Sequence, residues 1–184
     1  PDPDIRSYSN DLKLMEAMDR IPTVLAYAAS IQASEGGPHV GTAQIGEDPK
    51  NFLFRYLGIL RQTEVLGETV KGVGLITSAP EVDGVVRRVP LAVSAQGGIY
   101  PSFALEMLRV GVGDPSYQIK TGQAGIEWLR IPNYPTINTD ANARVWMTSN
   151  IDFYHQSAKE YLEAPITGAS FVIFGVTAEG VVNP

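Results

Sequence analysis

The 184-residue chain contains no cysteine, which excludes a disulfide framework and any thiolate metal site. That composition suits an oxidising compartment, where an unpaired thiol is a liability. No apolar run approaches the roughly 20 residues that a membrane-spanning helix needs. Basic residues are scarce and scattered: 14 Lys and Arg against 20 Asp and Glu leave a net charge of −6. Nucleic acid is therefore not an expected partner, because phosphate binding gathers Lys and Arg on one face. There are only two histidines, His39 and His155, with no HExxH-like spacing around them, and both read as structural or exposed. No G-x-S-x-G elbow occurs, and no Ser or Asp sits in a triad-like context. No metal and no cofactor are expected.

What is present is an ordinary globular composition, 44% hydrophobic, in a chain long enough for one domain with a real core. Residues 1–9 read as a loop. Ser9 or Asn10 caps a short helix to about Arg20, with Leu12, Leu14, Met15 and Met18 mostly on one face and Pro22 as its stop. Residues 31–51, rich in Gly, Asn, Asp, Gln and Ser, read as a long loop, and 52–60 as an apolar patch that periodicity does not resolve. Short strands are predicted at Tyr117–Ile119, Gly125–Ile131 and Arg144–Met147, and a short helix at 156–163. The expected fold is α/β. A mixed, largely parallel central sheet, flanked by helices and carrying a β-hairpin insertion, includes Val24–Ala28, Val73–Thr77, Val86–Ala92 and Phe171–Phe174. One domain is expected over 1–184. The start at Pro1 and the stop after an apolar run at Asn183-Pro184 suggest an incomplete piece of a larger module.

Residues 80–91, PEVDGVVRRVPL, pose a sharper question. Neighbouring strand residues point to opposite faces, so Arg87 and Arg88 cannot both face water. Asp83 is placed to accept from backbone N–H groups just beyond it in an Asx turn, and Gly84 to supply the positive φ. Pro90 removes a ladder donor, which puts this strand at an edge or breaks it there. One arginine then points outward. The other needs a carboxylate, with Asp83 or Glu106 as candidate partners, an exposed carbonyl, or a bound anion. Gln96-Gly97-Gly98 turns the chain back, and Tyr100-Pro101-Ser102 opens a helix carrying Phe103, Leu105, Met107 and Leu108. A second glycine pattern, Gly175 to Gly180 (GVTAEG), has phosphate-loop spacing but lacks the closing Lys and Ser/Thr. It reads as a strand-to-loop turn.

PEVDGVVRRVPL, the hairpin after it and YPSFALEML together resemble the second class of CHASE domains, cyclase- and histidine-kinase-associated sensory extracellular modules. The residues that carry the resemblance are Pro80, Asp83, Gly84, Val85, Arg87, Val89, Pro90 and Leu91, then Pro101, Ser102, Phe103 and Ala104. LKLMEAMDRIPTVLAYA and ASFVIFGVTAEGVVNP are similar to the family's helix-then-strand and later strand-and-turn segments. The family's preceding strand-helix-strand portion has no counterpart in this chain.

The resemblance implies an extracytoplasmic sensory input domain of a bacterial transmembrane receptor, tethered to the membrane. It would detect an unknown small-molecule or environmental signal and regulate a cytoplasmic cyclase or kinase. Partners would be the rest of its own receptor and a second copy in a homodimer. It implies no catalysis by the module. Arg87, Arg88 and Tyr100 are the candidate ligand contacts. Pro80, Asp83, Gly84, Pro90, Pro101, Ser102, Gly175 and Gly180 are motif positions that hold the backbone. Two other readings remain: a hydrolase or transferase acting on a phosphate-containing substrate through the Gly175–Gly180 turn, and a ligand-free structural dimerisation module.

Overall fold

A computed structural model of the chain describes residues 3–34, 40–61, 66, 70–78, 81–148, 156–164, 168 and 172–173. The chain divides into two compact units, Pro1–Met147 and Thr148–Pro184. The first opens with helix α1 (Pro3–Asp19), which begins well before the predicted cap. Of its apolar residues Met18 is buried, whereas Leu14 is about half exposed. The strands are β1 (Val24–Ser30), β2 (Thr42–Ile45), β3 (Arg55–Tyr56), β4 (Gly58–Leu60), β5 (Gly72–Ile76), β6 (Arg88–Pro90), β7 (Ala92–Ala95), β8 (Gly98–Pro101), β9 (Tyr117–Gly122), β10 (Gly125–Arg130), β11 (Ile137–Asn138) and β12 (Arg144–Trp146). Helix α2 (Phe103–Val112) follows β8.

These strands form small sheets with the orders β4-β1-β5, β11-β10-β9-β2, β12-β6 and β3-β7-β8. The α/β class holds, but the expectation of one largely parallel sheet does not. Among the described residues three pairings are parallel (β1/β5, β2/β9, β3/β7) and five antiparallel. The predicted Val86–Ala92 strand is two strands: Leu91 still bonds in the β6–β12 register, its N–H donating to Ala143 O at 2.8 Å, and from Ala92 onward the chain pairs with β8 instead. Pro90 stands at a rung that makes no bond to β12, since the bonded pairs of this register include 87/147 and 91/143. Its missing N–H faces the unpaired side of β6, an edge of the two-stranded sheet. The predicted loop at 31–51 contains β2, and the apolar patch at 52–60 contains β3 and β4.

The β7–β8 hairpin separates two apolar cores. Val93, Ala95 and Tyr100 join Tyr27, Ile59, Val73 and Leu75 on one side. Leu91, Ala92 and Ile99 join Leu105, Tyr117, Ile119, Ile126 and Leu129 on the other. With both faces buried, a strand loses its polar alternation, and Leu91–Ala95 is apolar but for Ser94. Each such aliphatic side chain contributes about 1.5–3 kcal/mol by burial. The hairpin turn is tight, with φ of 50° at Gln96 and 78° at Gly97, the positive pair that matches strand twist in two-residue loops.

In the second unit, helix α3 (Ala158–Glu163) is opened by a capping box: Ser157 Oγ accepts from Glu160 N–H while the Glu160 carboxylate accepts from Ser157 N–H. The predicted strand at Phe171–Phe174 is not found. Val172 and Ile173, its described residues, lie outside any strand and are 41% and 65% exposed. An apolar run bounded by turn residues needs a neighbouring ladder to become a strand, and these two have none among the described residues. Phe171 and Phe174 lie outside those residues, as do Pro80, Gly175, Gly180, His39 and His155.

Candidate functional site

The stretch after Pro80 folds back on itself. Gly84 N–H donates to Glu81 O at 2.8 Å, and Glu81 N–H to Val85 O at 3.0 Å. Val85 N–H donates to Asp83 Oδ1 at 3.1 Å, closing the Asx turn, and Gly84 has a φ of 81°. Asp83 also accepts both arms of Arg87, Nη1 to Oδ1 at 3.0 Å and Nη2 to Oδ2 at 2.7 Å. Both side chains of this pair are about half exposed. The Arg87 guanidinium, followed by Val85 N–H, holds the Asp83 carboxyl below its usual range.

Arg88 turns the other way. Its side chain is 22% exposed, and its donors meet two carboxylates. Nε and Nη2 donate to Glu81 Oε1 and Oε2 at 2.7 and 2.8 Å, and Nη1 to Asp140 Oδ2 at 2.8 Å. Asp140 further accepts from Arg144 Nε at 2.8 Å and from the N–H groups of Arg144 and Asn142 at 2.9 and 3.0 Å. Burial pushes the Asp140 carboxyl up, but those N–H groups and the Arg144 guanidinium outweigh it and hold the group low. The Arg88 hydrogen bond likewise lowers Glu81.

The β6–β12 pairing makes this network possible, because it sets Arg88 opposite Trp146 and Pro90 opposite Arg144. Arg88 then lies over the Trp146 ring at 5.3 Å, and Arg144 over Phe54 at 5.4 Å. Glu81, Asp140, Arg144 and Trp146 were not singled out from sequence. Only the Asp140/Arg144 spacing carried a signal, and that is common.

The question of the two arginines thus has an answer: Arg87 faces solvent with Asp83, and Arg88 is tucked between Glu81 and Asp140. Asp83 is Arg87's partner, and Glu106 belongs to neither. Between the 81–84 turn and β12 lies an open groove of about 480 Å³, lined by Glu81, Val82, Asp83, Arg87, Arg88 and Trp146. Val82 is fully exposed, and Trp146 is 70% exposed. An aromatic face beside two guanidinium–carboxylate pairs suits reversible recognition by ion exchange and stacking. Tyr100 is not part of it; its side chain is 3% exposed within the second core.

The other motif half builds a scaffold. Pro101 is buried and Ser102 caps α2, its Oγ accepting from Leu105 N–H at 3.2 Å while its own N–H donates to Leu91 O at 2.7 Å. Ser102 also bridges to Leu75, joining β5 to the start of the helix. One turn on, fully buried Glu106 takes Arg109 Nε and Nη2 at 2.9 and 2.6 Å. Arg109 completes its bonding on the carbonyls of Asp114 (2.5 Å) and Lys71 (2.9 Å). Gly72 is required beside it, since a Cβ there would overlap the Glu106 carboxylate. Burial pushes the neighbouring Tyr117 phenol well above its usual range.

No helix among the described residues is long and apolar enough to cross a membrane. No curated protein and no solved structure matches the chain. The family model of the CHASE2 domain matches residues 2–183. CHASE2 domains are extracellular sensory domains, not catalytic ones. With the match running over nearly its whole length, this chain belongs to the CHASE2 domain family.

Proposed function

We propose that the chain is the sensory input module of a bacterial transmembrane receptor, held outside the cytoplasm by membrane-tethering segments and working as a homodimer. It detects a signal and regulates a cytoplasmic cyclase or kinase without chemistry of its own. The observation that carries this reading is the family match over residues 2–183.

Within the module we assign the sensing contact to the groove between the 81–84 turn and Trp146. A ligand shifts a conformational equilibrium only by its difference in affinity for the two states. Here that difference arises if an effector's anionic group replaces Asp83 on the half-exposed Arg87 and frees the turn. Arg88, already engaged by Glu81 and Asp140, passes the movement to β6 and β12.

The test is receptor output in the parent protein, with Arg87→Ala and Arg88→Ala at matched expression and thermal stability. The expected result is a blunted stimulus response for Arg87→Ala and a shifted basal output for Arg88→Ala. If both variants signal like the unmodified receptor, the groove is not the sensing site.

A further inference from the structure

The outer face of the β11-β10-β9-β2 sheet carries a cation with no counter-charge among the described residues. Arg130 in β10 stands opposite Gln118 in β9. Its Nε and Nη2 both donate to Gln118 Oε1, at 3.0 and 2.6 Å. Its guanidinium lies over the ring of Trp128, two residues earlier on the same strand face, at 5.5 Å. The nearest cation on this face, Lys120 opposite Trp128, is neutralised by Glu127 at 2.9 Å. The face therefore holds one net positive charge on a chain whose total is −6.

Arg130 differs from the arginines described above. Arg87, Arg88, Arg109 and Arg144 each face a carboxylate, whereas Arg130 is fixed by a neutral amide and an indole. Gln118 occupies only the Nε–Nη2 edge of the guanidinium. The edge between Nη1 and Nη2 has no acceptor among the described residues. A planar fork held rigid with one edge open is preorganised for two coplanar oxygens, and the ordering cost of binding is largely met in advance. One positive charge suits a monoanion. A dianion would leave excess negative charge beside Glu127 on an already acidic protein.

We propose that this sheet face binds an organic monocarboxylate, its two oxygens in the open fork of Arg130 and its apolar body beside Trp128. The site shares no residue with the 81–88 turn or Trp146, so it stands or falls independently of the groove.

Trp128 is the reporter. These 184 residues contain two tryptophans, so in this chain Trp146→Phe leaves Trp128 as the sole indole, and sodium benzoate is the probe, with benzamide and sulfate as controls. Benzoate is expected to give a saturable change in Trp128 fluorescence, benzamide none, and sulfate a much weaker one. Arg130→Gln should raise the half-saturating benzoate concentration at least tenfold. Gln118→Glu should do the same while keeping the guanidinium in place, because an internal carboxylate then neutralises it; this variant decides the matter if Arg130→Gln fails to fold. Arg87→Ala should leave the half-saturation unchanged. The proposal is overturned if benzoate gives no saturable change, if benzamide or sulfate matches it, if Gln118→Glu binds like the parent, or if Arg87→Ala abolishes binding.

Discussion

Two arginine clusters in this molecule use the same chemistry for opposite ends. Around Arg109 every partner is close by or backbone: Glu106 one helical turn away and the carbonyls of Asp114 and Lys71. The Glu106 side chain is 0% exposed. Such a pair gains little over an apolar core of equal volume, but losing one member strands a charge in low dielectric. Around Arg88 the partners come from separate elements, the 81–84 turn and the 139–144 turn, and the side chains are about a fifth exposed. Water can replace any one of these contacts. The first cluster therefore fixes α2 to β5, and the second forms an adjustable clasp between two turns and a two-stranded ribbon.

The largest effect should come from breaking the buried pair. Arg109→Ala leaves Glu106 unpaired and should cost about 3–5 kcal/mol, read as a lower denaturant midpoint. Next comes Gly72→Ala, which disturbs the same cluster from the neighbouring strand. Its Cβ meets the Glu106 carboxylate, and displacing a packed group should cost about 1–3 kcal/mol.

The clasp should yield less. Asp140→Asn keeps the shape but loses the charge that Arg88 and Arg144 share, for about 1–3 kcal/mol. It should also flatten the acid limb of stability. Asp140, Glu81 and Asp83 all have depressed folded-state pKa values. Their contribution is present above the unfolded carboxylate values of about 4 and is lost as pH falls below them. Parent stability should fall in that acid window, and the Asp140→Asn profile should fall less steeply. The smallest effect belongs to Asp83→Ala, at the solvent-facing end. It should loosen the turn, seen as faster exchange of the Gly84 amide, with little change in global melting.

The legible parts of this fold were those with local causes. The Asx turn at Asp83-Gly84, the edge placement of Pro90, the Gln96-Gly97 turn and the Ser102 cap each follow from a residue's own stereochemistry. The runs at Val24 and Val73 were visible as short apolar stretches of strand length, and in β5 the consecutive residues Gly72 to Leu75 are all buried. Pairings set by distant residues were not visible. Thr42–Ile45 is a strand because β9 pairs with it in parallel, which the glycines at 36, 37, 41 and 46 conceal. The two-facedness of Arg87 and Arg88 was readable from strand alternation, but Arg88's partners were not, since Asp140 lies 52 residues away. From sequence Glu106 is a candidate partner for the motif arginines, but Arg109, three positions on, is its local solution. Tyr100 looked available because it borders a hairpin, whereas a hairpin buried on both faces leaves it no route to solvent.

Native-state hydrogen exchange tests the contrast most directly. Gly84 N–H is bonded to Glu81 O in the turn, and Glu106 N–H to Ser102 O in α2. If the clasp is adjustable and the buried cluster fixed, Gly84 exchanges through local opening of low free energy that denaturant barely affects. Glu106 then exchanges only with global unfolding. Equal protection of the two amides, falling together with denaturant, would mean that turn and scaffold open as one unit, and the account of a separate sensing clasp would be wrong.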